Sequence, residues 1–184
     1  ALQLRQQQTL ATITQLILQQ SLNLEHIQTI IAHQVKEVLQ ADRVIIYRLY
    51  PDGTSRIVEE AVVEGLPRLR DKHWDDEVWS QEILDCYWQG QPRIVPDVMT
   101  DWWTECLIEY SIEGQIQSKM VAPILQELRY DEEHHRWASP TEGNKLWGVL
   151  VVHACTEKRV WQETEAQLLQ QIANQVAIAI QQSD

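Results

Sequence analysis

Residues 145–182 read KLWGVLVVHACTEKRVWQETEAQLLQQIANQVAIAIQQ, and the hydrophobic period changes inside them. Residues 145–155 are a β-rich apolar run, whereas from about Trp161 to Gln182 the apolar residues recur as a stripe at helical spacing. A strand that feeds a long closing helix is the unit around which the rest of the chain is arranged. Immediately upstream, SKMVAPILQ (118–126) is a second strand. The two are separated by ELRYDEEHHRWASPTEGN (127–144), several times the usual hairpin loop length, and a loop of that kind is either functional or disordered.

Toward the N-terminus two helices are expected. Leu10, Ile13, Leu16 and Ile17 share one helical face, and Ile27, Ile30, Ile31, Val35, Val38 and Leu39 share another. They divide near Ser21 to Asn23, where Asn23 is suited to cap the second helix. RVIIYRLY (43–50), the turn signal Pro51-Asp52-Gly53 and SRIVEEAVVE (55–64) make a hairpin. A short helix from about Trp79 to Gln89 is ended by Gly90, QPRIV (91–95) is a short edge strand, and 96–115 mix loop and helix. The resulting order, α-α-β-β-α-β-α-β-β-α, implies an α+β fold with a central antiparallel sheet and helices on its faces.

The 184 residues form one domain, 1–184, with 44% hydrophobic residues for a single core. The formal net charge of -12 and the lack of a basic cluster argue against nucleic acid or an anionic membrane surface as partner. No apolar run reaches membrane-spanning length, so no membrane is expected in this segment. Cys86, Cys106 and Cys155 are widely spaced and odd in number, which fits a reducing, cytoplasmic setting. Helical ends at 1–20 and 161–184 suggest continuation into linkers of a longer protein.

Cys106 stands in DWWTECLIEY (101–110), with no metal-ligand spacing and no evident disulfide partner. It is either a packing cysteine or an attachment point. Glu105 and Glu109 disfavour its thiolate by like charge, so it is a poor redox nucleophile. His134 and His135 are read as an exposed loop pair rather than metal ligands, and no metal is expected.

Several motifs resemble those of the bilin-binding GAF domains of cyanobacteriochromes, relatives of phytochromes. The resemblance covers nearly the whole chain. It rests on Leu146-Trp147-Gly148, His153, Arg159, Trp161 and the run Gln175 to Ile180, on ADRVIIYRLYPDG (41–53), and on WDDEVW (74–79) followed by YWQG (87–90). On that pattern Cys106 is the residue that would carry a linear tetrapyrrole through a thioether. Leu107 in place of the more common histidine resembles the far-red-sensing branch. Val78 stands where blue-sensing branches have a second cysteine, so a second thioether is not expected.

The resemblance further implies Asp76 as acceptor for the pigment's pyrrole N–H groups, with Glu77 as the alternative, and Trp74 against ring D. Trp79, Tyr87, Trp102 and Trp103 are candidate aromatic walls, although Trp79 and Tyr87, eight apart on one helix face, also suit core packing. His153 would contact a pigment carbonyl or propionate; a lone strand histidine is also commonly a hydrogen-bonded core residue. Arg93 and Lys119 are candidate propionate partners, while Trp88 and Gln91 replace arginines frequent in relatives.

The implied cofactor is phycocyanobilin, with biliverdin as the alternative. The implied function is light sensing by reversible Z/E isomerisation from a far-red-absorbing dark state. The signal would pass through the terminal helices, which pack together and pair across a homodimer, to an output domain such as a histidine kinase, a cyclase or a chemotaxis-like receptor. No enzymatic activity is expected of this domain. Rival readings are a GAF module for a cyclic nucleotide, since Asn144-Lys145 resembles the opening of that motif, a GAF-type methionine sulfoxide reductase, and a bilin-free dimerisation domain.

Overall fold

The computed structural model describes residues 2–19, 23–50, 55–70, 87, 89–100, 111–126, 130–131, 133, 136–137 and 145–183. Two helices open the chain, α1 (Leu2–Gln19) and α2 (Leu24–Val38). Asn23 caps α2 as expected, its Oδ1 accepting from the His26 N–H at 2.9 Å. The burial of Ile27, Gln28, Ile31, Ala32, Val35 and Val38 follows the helical repeat. The helix ends in a left-handed turn: Gln40 has φ 50, its N–H donates to Glu37 O at 3.2 Å, and Ala41 N–H donates to Lys36 O at 2.9 Å. Glycine is the usual residue there, so the sequence carried no signal of this stop.

Strands β1 (Arg43–Leu49) and β2 (Ser55–Val62) pair antiparallel, as the hairpin reading required. The remaining strands are β3 (Arg93–Val95), β4 (Ser118–Gln126), the two-residue β5 (Tyr130–Asp131) and β6 (Arg136–Trp137), and β7 (Lys145–Ala154). The main sheet has the order β2-β1-β7-β4-β3, with every pairing antiparallel and β3 at its edge as expected. β5 and β6 pair with each other, so the 127–144 span holds a small ladder rather than loop alone. Strands of two residues carry no readable period, which is why the sequence did not reveal them.

The closing helix α3 (Glu163–Ser183) begins two residues later than its apolar stripe suggests. Glu165 Oε1 reaches back to accept from the Gln162 N–H at 3.0 Å, a capping-box arrangement that puts Gln162 at the cap and Trp161 before it. Trp161 counts in the stripe because it is buried all the same. Of the expected 79–89 helix only Tyr87 and Gln89 are described; Tyr87 is helical, and Gly90 follows with φ +71, the left-handed conformation that suits glycine as a terminator.

The sheet divides the core. One face, with Val44, Ile46, Met120, Ala122, Ile124, Leu150 and Val152, packs under the three helices around Ile13, Ile31, Val35, Leu169, Ile172 and Val176. The terminal helices α1 and α3 pack against one another there. Each such aliphatic side chain contributes about 1.5–3 kcal/mol by leaving water. The opposite face gathers Ile45, Tyr47, Val121, Leu125, Val149 and Val151 with Leu69, Tyr87, Val95, Val98 and Ile116. Among the described residues no helix is long and apolar enough to cross a membrane.

Candidate functional site

The face away from the helices carries the polar residues. Cross-strand register aligns Arg43 with His153, His153 with Lys119, and Lys119 with Val95. The next row along that face aligns Ile45, Val151, Val121 and Arg93. Arg93 is therefore diagonal to Lys119, which pairs with His153, while Arg93 itself stands two strands from His153 on the same face. Lys119 and Arg93 are half-buried, while His153 is 1% exposed. Strand alternation made this grouping legible from sequence once the register was known.

His153 is held neutral. Burial pushes its pKa well below the ordinary value of 6.5, and the positive charges of Arg43 and Lys119 push in the same direction. Arg43 Nη1 lies 3.2 Å from His153 Nδ1.

Arg43 is fully buried, and the sequence reading passed over it. Its Nη1 also donates to Gly114 O at 3.0 Å, and its Nη2 donates to Pro67 O at 2.7 Å. Its Nε lies 3.2 Å from Glu60 Oε2, an ion pair without hydrogen-bond alignment. Glu60 in turn accepts from Leu69 N–H at 2.9 Å and Arg70 N–H at 3.0 Å. The Arg43–Glu60 pair thus ties the sheet to the stretch leading into residues 71–86 and to the stretch that follows 101–110. A signal existed: Arg43 shares strand parity with Ile45 and Tyr47 of the same core, so a charge at that position demanded a partner.

Cys155 is buried at the end of the same face, and burial pushes its thiol up to about 11. It is a protonated packing cysteine, which disfavours thiolate chemistry of the sulfoxide reductase type at this position. Tyr87 is buried in the apolar cluster with Val95 and Val98, in keeping with a core role. Trp74, Asp76, Glu77, Trp79, Trp102, Trp103, Cys106 and Leu107 lie outside the described residues, as do the side chains of Tyr130 and Trp137. Among the described residues no cluster of three His, Cys, Asp or Glu side chains could hold a metal ion.

The sheet face away from the helices thus carries two half-buried cations and a neutral imidazole beside an apolar cluster. The GAF domain model matches residues 23–180. A solved far-red cyanobacteriochrome photoreceptor is 60% identical, with 100% of both chains covered and a TM-score of 0.78. The phycocyanobilin-bound GAF domain of a cyanobacterial phytochrome is 29% identical, covering 97% of this chain and 94% of that one, at a TM-score of 0.75. A far-red absorbing dark state with bound biliverdin IXα is 27% identical over 95% and 98% of the two chains, also at 0.75. The chain belongs to the GAF domain family and, within it, to the cyanobacteriochromes. Among curated relatives, the circadian input-output histidine kinase CikA of Thermosynechococcus vestitus is 27% identical over 90% of this chain. The chain spans only 15% to 23% of the length of the curated relatives it matches.

Proposed function

We propose that this domain is a light sensor that carries a linear tetrapyrrole, phycocyanobilin or biliverdin, on Cys106 through a thioether, with a far-red-absorbing dark state. The observation that carries this reading is the 60% identity over the full length of both chains with a far-red cyanobacteriochrome photoreceptor. When bound, the pigment supplies light absorption and Z/E isomerisation of the double bond between its rings C and D. The chain's own part is to bind, orient and exclude water. Asp76, or Glu77 in its stead, accepts from the pyrrole N–H groups, because a buried cationic ligand is costly without a carboxylate. Arg93 and Lys119 pair with the propionates, Trp74 faces ring D, and Trp79, Tyr87, Trp102, Trp103 and Leu107 complete the walls.

The signal passes through α1 and α3 to an output module of a longer protein, such as a histidine kinase, with pairing of the terminal helices across a dimer. The curated relatives support this reading, since histidine kinases of the CikA type contain a similar stretch as about a fifth of their length. Altered contacts of the pigment must bias a two-state element to become a signal, and packed helices at the two ends of the chain are suited to it.

Production of the chain in cells making phycocyanobilin, beside Cys106→Ala and Cys155→Ala, tests the assignment. A coloured, photoreversible protein with zinc-enhanced fluorescence on a denaturing gel is expected for the native chain and for Cys155→Ala, and loss of that fluorescence for Cys106→Ala. Absence of colour with both phycocyanobilin and biliverdin would refute the light-sensing reading. Asp76→Ala and Glu77→Ala, made separately, identify the pyrrole acceptor as the one whose loss changes the absorption and its pH dependence.

A further inference from the structure

We propose that Arg43 is a positioning residue that locks His153 in the Nε2–H tautomer, so that this histidine acts only as a hydrogen-bond donor toward a ligand oxygen. The inference deepens the light-sensing reading and, in its second half, rests on it.

A guanidinium has five N–H donors, no lone pair to accept with, and a charge that is not lost in proteins. Arg43 Nη1 has two protons for three neighbours, Gly114 O at 3.0 Å, His153 Nδ1 at 3.2 Å and the weak acceptor Cys155 Sγ at 3.7 Å. Since Nη1 cannot accept, a proton on Nδ1 would face it donor to donor, and Nδ1 presents its lone pair instead. A neutral imidazole carries a single ring proton, which then resides on Nε2. The ring is neutral because it is 1% exposed and has positive charges from Arg43 and Lys119 beside it. Among the described residues Arg43 is its hydrogen-bond partner, which leaves the Nε2–H for something else.

Arg43 cannot readily turn away. Gly114 O, Pro67 O and the buried carboxylate of Glu60 fix the other edges of the guanidinium, and Glu60 is anchored by the Leu69 and Arg70 N–H groups. The tautomer is thus set from behind by a rigid buried pair before any ligand arrives. The consequence is a division of labour in the pocket. With its proton on Nε2, the distal nitrogen can donate to a carbonyl or carboxylate oxygen of the pigment, but it cannot accept from a pyrrole N–H. That acceptor duty must fall to a carboxylate.

The test begins without pigment. In the 15N-histidine-labelled chain, long-range proton–nitrogen correlation, assigned with His153→Gln, should show a proton on Nε2 and a lone pair on Nδ1 at neutral pH. Arg43→Lys should keep that pattern and Arg43→Met should lose the single tautomer. A proton on Nδ1, or on both nitrogens, in the native chain would overturn the proposal, and this reading stands even if Arg43→Met fails to fold.

The second stage uses the phycocyanobilin-loaded chain. His153→Gln, whose amide can donate in place of Nε2–H, should keep the absorption band closer to native than His153→Met does. Equal displacement by both would overturn the donor role. A colourless native chain that still shows Nε2–H would instead overturn the light-sensing reading and leave the tautomer assignment standing.

Discussion

Arg43 and Glu60 are opposite charges on neighbouring strands, Nε 3.2 Å from Oε2, with neither side chain exposed to solvent. Taking both out of water is costly, and the pair persists because Gly114 O, Pro67 O and two backbone N–H groups satisfy its remaining polar atoms. Removing one partner strands the other. Glu60→Ala should therefore destabilise the chain by about 3–5 kcal/mol, read as a lower urea midpoint. The double substitution Arg43→Met with Glu60→Met should cost less than the sum of the two single ones. Strict additivity would mean that the two side chains do not depend on each other.

The limits of sequence reading show in this pair. Asn23, the β1–β2 hairpin and the SKMVAPILQ strand were legible because each is announced by residues a few positions apart, the cap by its own side chain and the strands by their β-rich apolar runs. Strand parity likewise put Arg93, Lys119 and His153 on a common face once the register was known. Arg43 and Glu60 needed more. Their meaning depends on both being buried, and that follows from segments far along the chain, 67–70 and 114, closing over the sheet. A charge at an inward position is visible in the sequence, but its partner is a tertiary fact.

Gly148 leaves no room for a side chain. A Cβ there would stand 1.9 Å from the carbonyl oxygen of Tyr47 on the adjacent strand, a backbone atom that cannot swing aside. Gly148 pairs with Arg48 and Ile124 between β1 and β4, so relief would require parting the middle of the sheet. Gly148→Ala should cost at least about 3 kcal/mol, at the top of the range for overpacking, as measured by denaturant unfolding. A loss below 1 kcal/mol on the same scale would show that β7 can shift by a fraction of a residue.

Gln40 holds a left-handed conformation, φ 50, at the end of α2, where its Cβ is crowded by the following carbonyl. Its N–H and that of Ala41 satisfy the last carbonyls of the helix, so the conformation itself is useful. Gln40→Gly should keep those bonds without the crowding and raise stability by about 1 kcal/mol. Gln40→Val should lower it, because a branched Cβ worsens the same contact. Thermal unfolding of the three chains side by side gives the order.

His153 should impose a pH dependence on stability. Facing it are Arg43 from β1 and Lys119 from β4, with Cys155 near the end of its own strand and Glu60 behind Arg43. Burial first, then the charges of Arg43 and Lys119, depress its folded pKa well below 6.5. In the unfolded chain the ring takes up a proton as pH drops through about 6.5, whereas in the folded chain it remains neutral. The unfolded state therefore binds more protons across the interval from 6.5 down to the folded pKa, and stability falls as pH falls through it. The slope attributable to this residue approaches about 1.4 kcal/mol per pH unit. Above pH 7 both states are neutral at this ring and it contributes no slope. Urea unfolding of the native chain and of His153→Gln between pH 8 and pH 5 isolates the effect, since other carboxylates and histidines contribute equally to both. Parallel stability curves for the two chains would show that the folded protein protonates His153 as readily as the unfolded one.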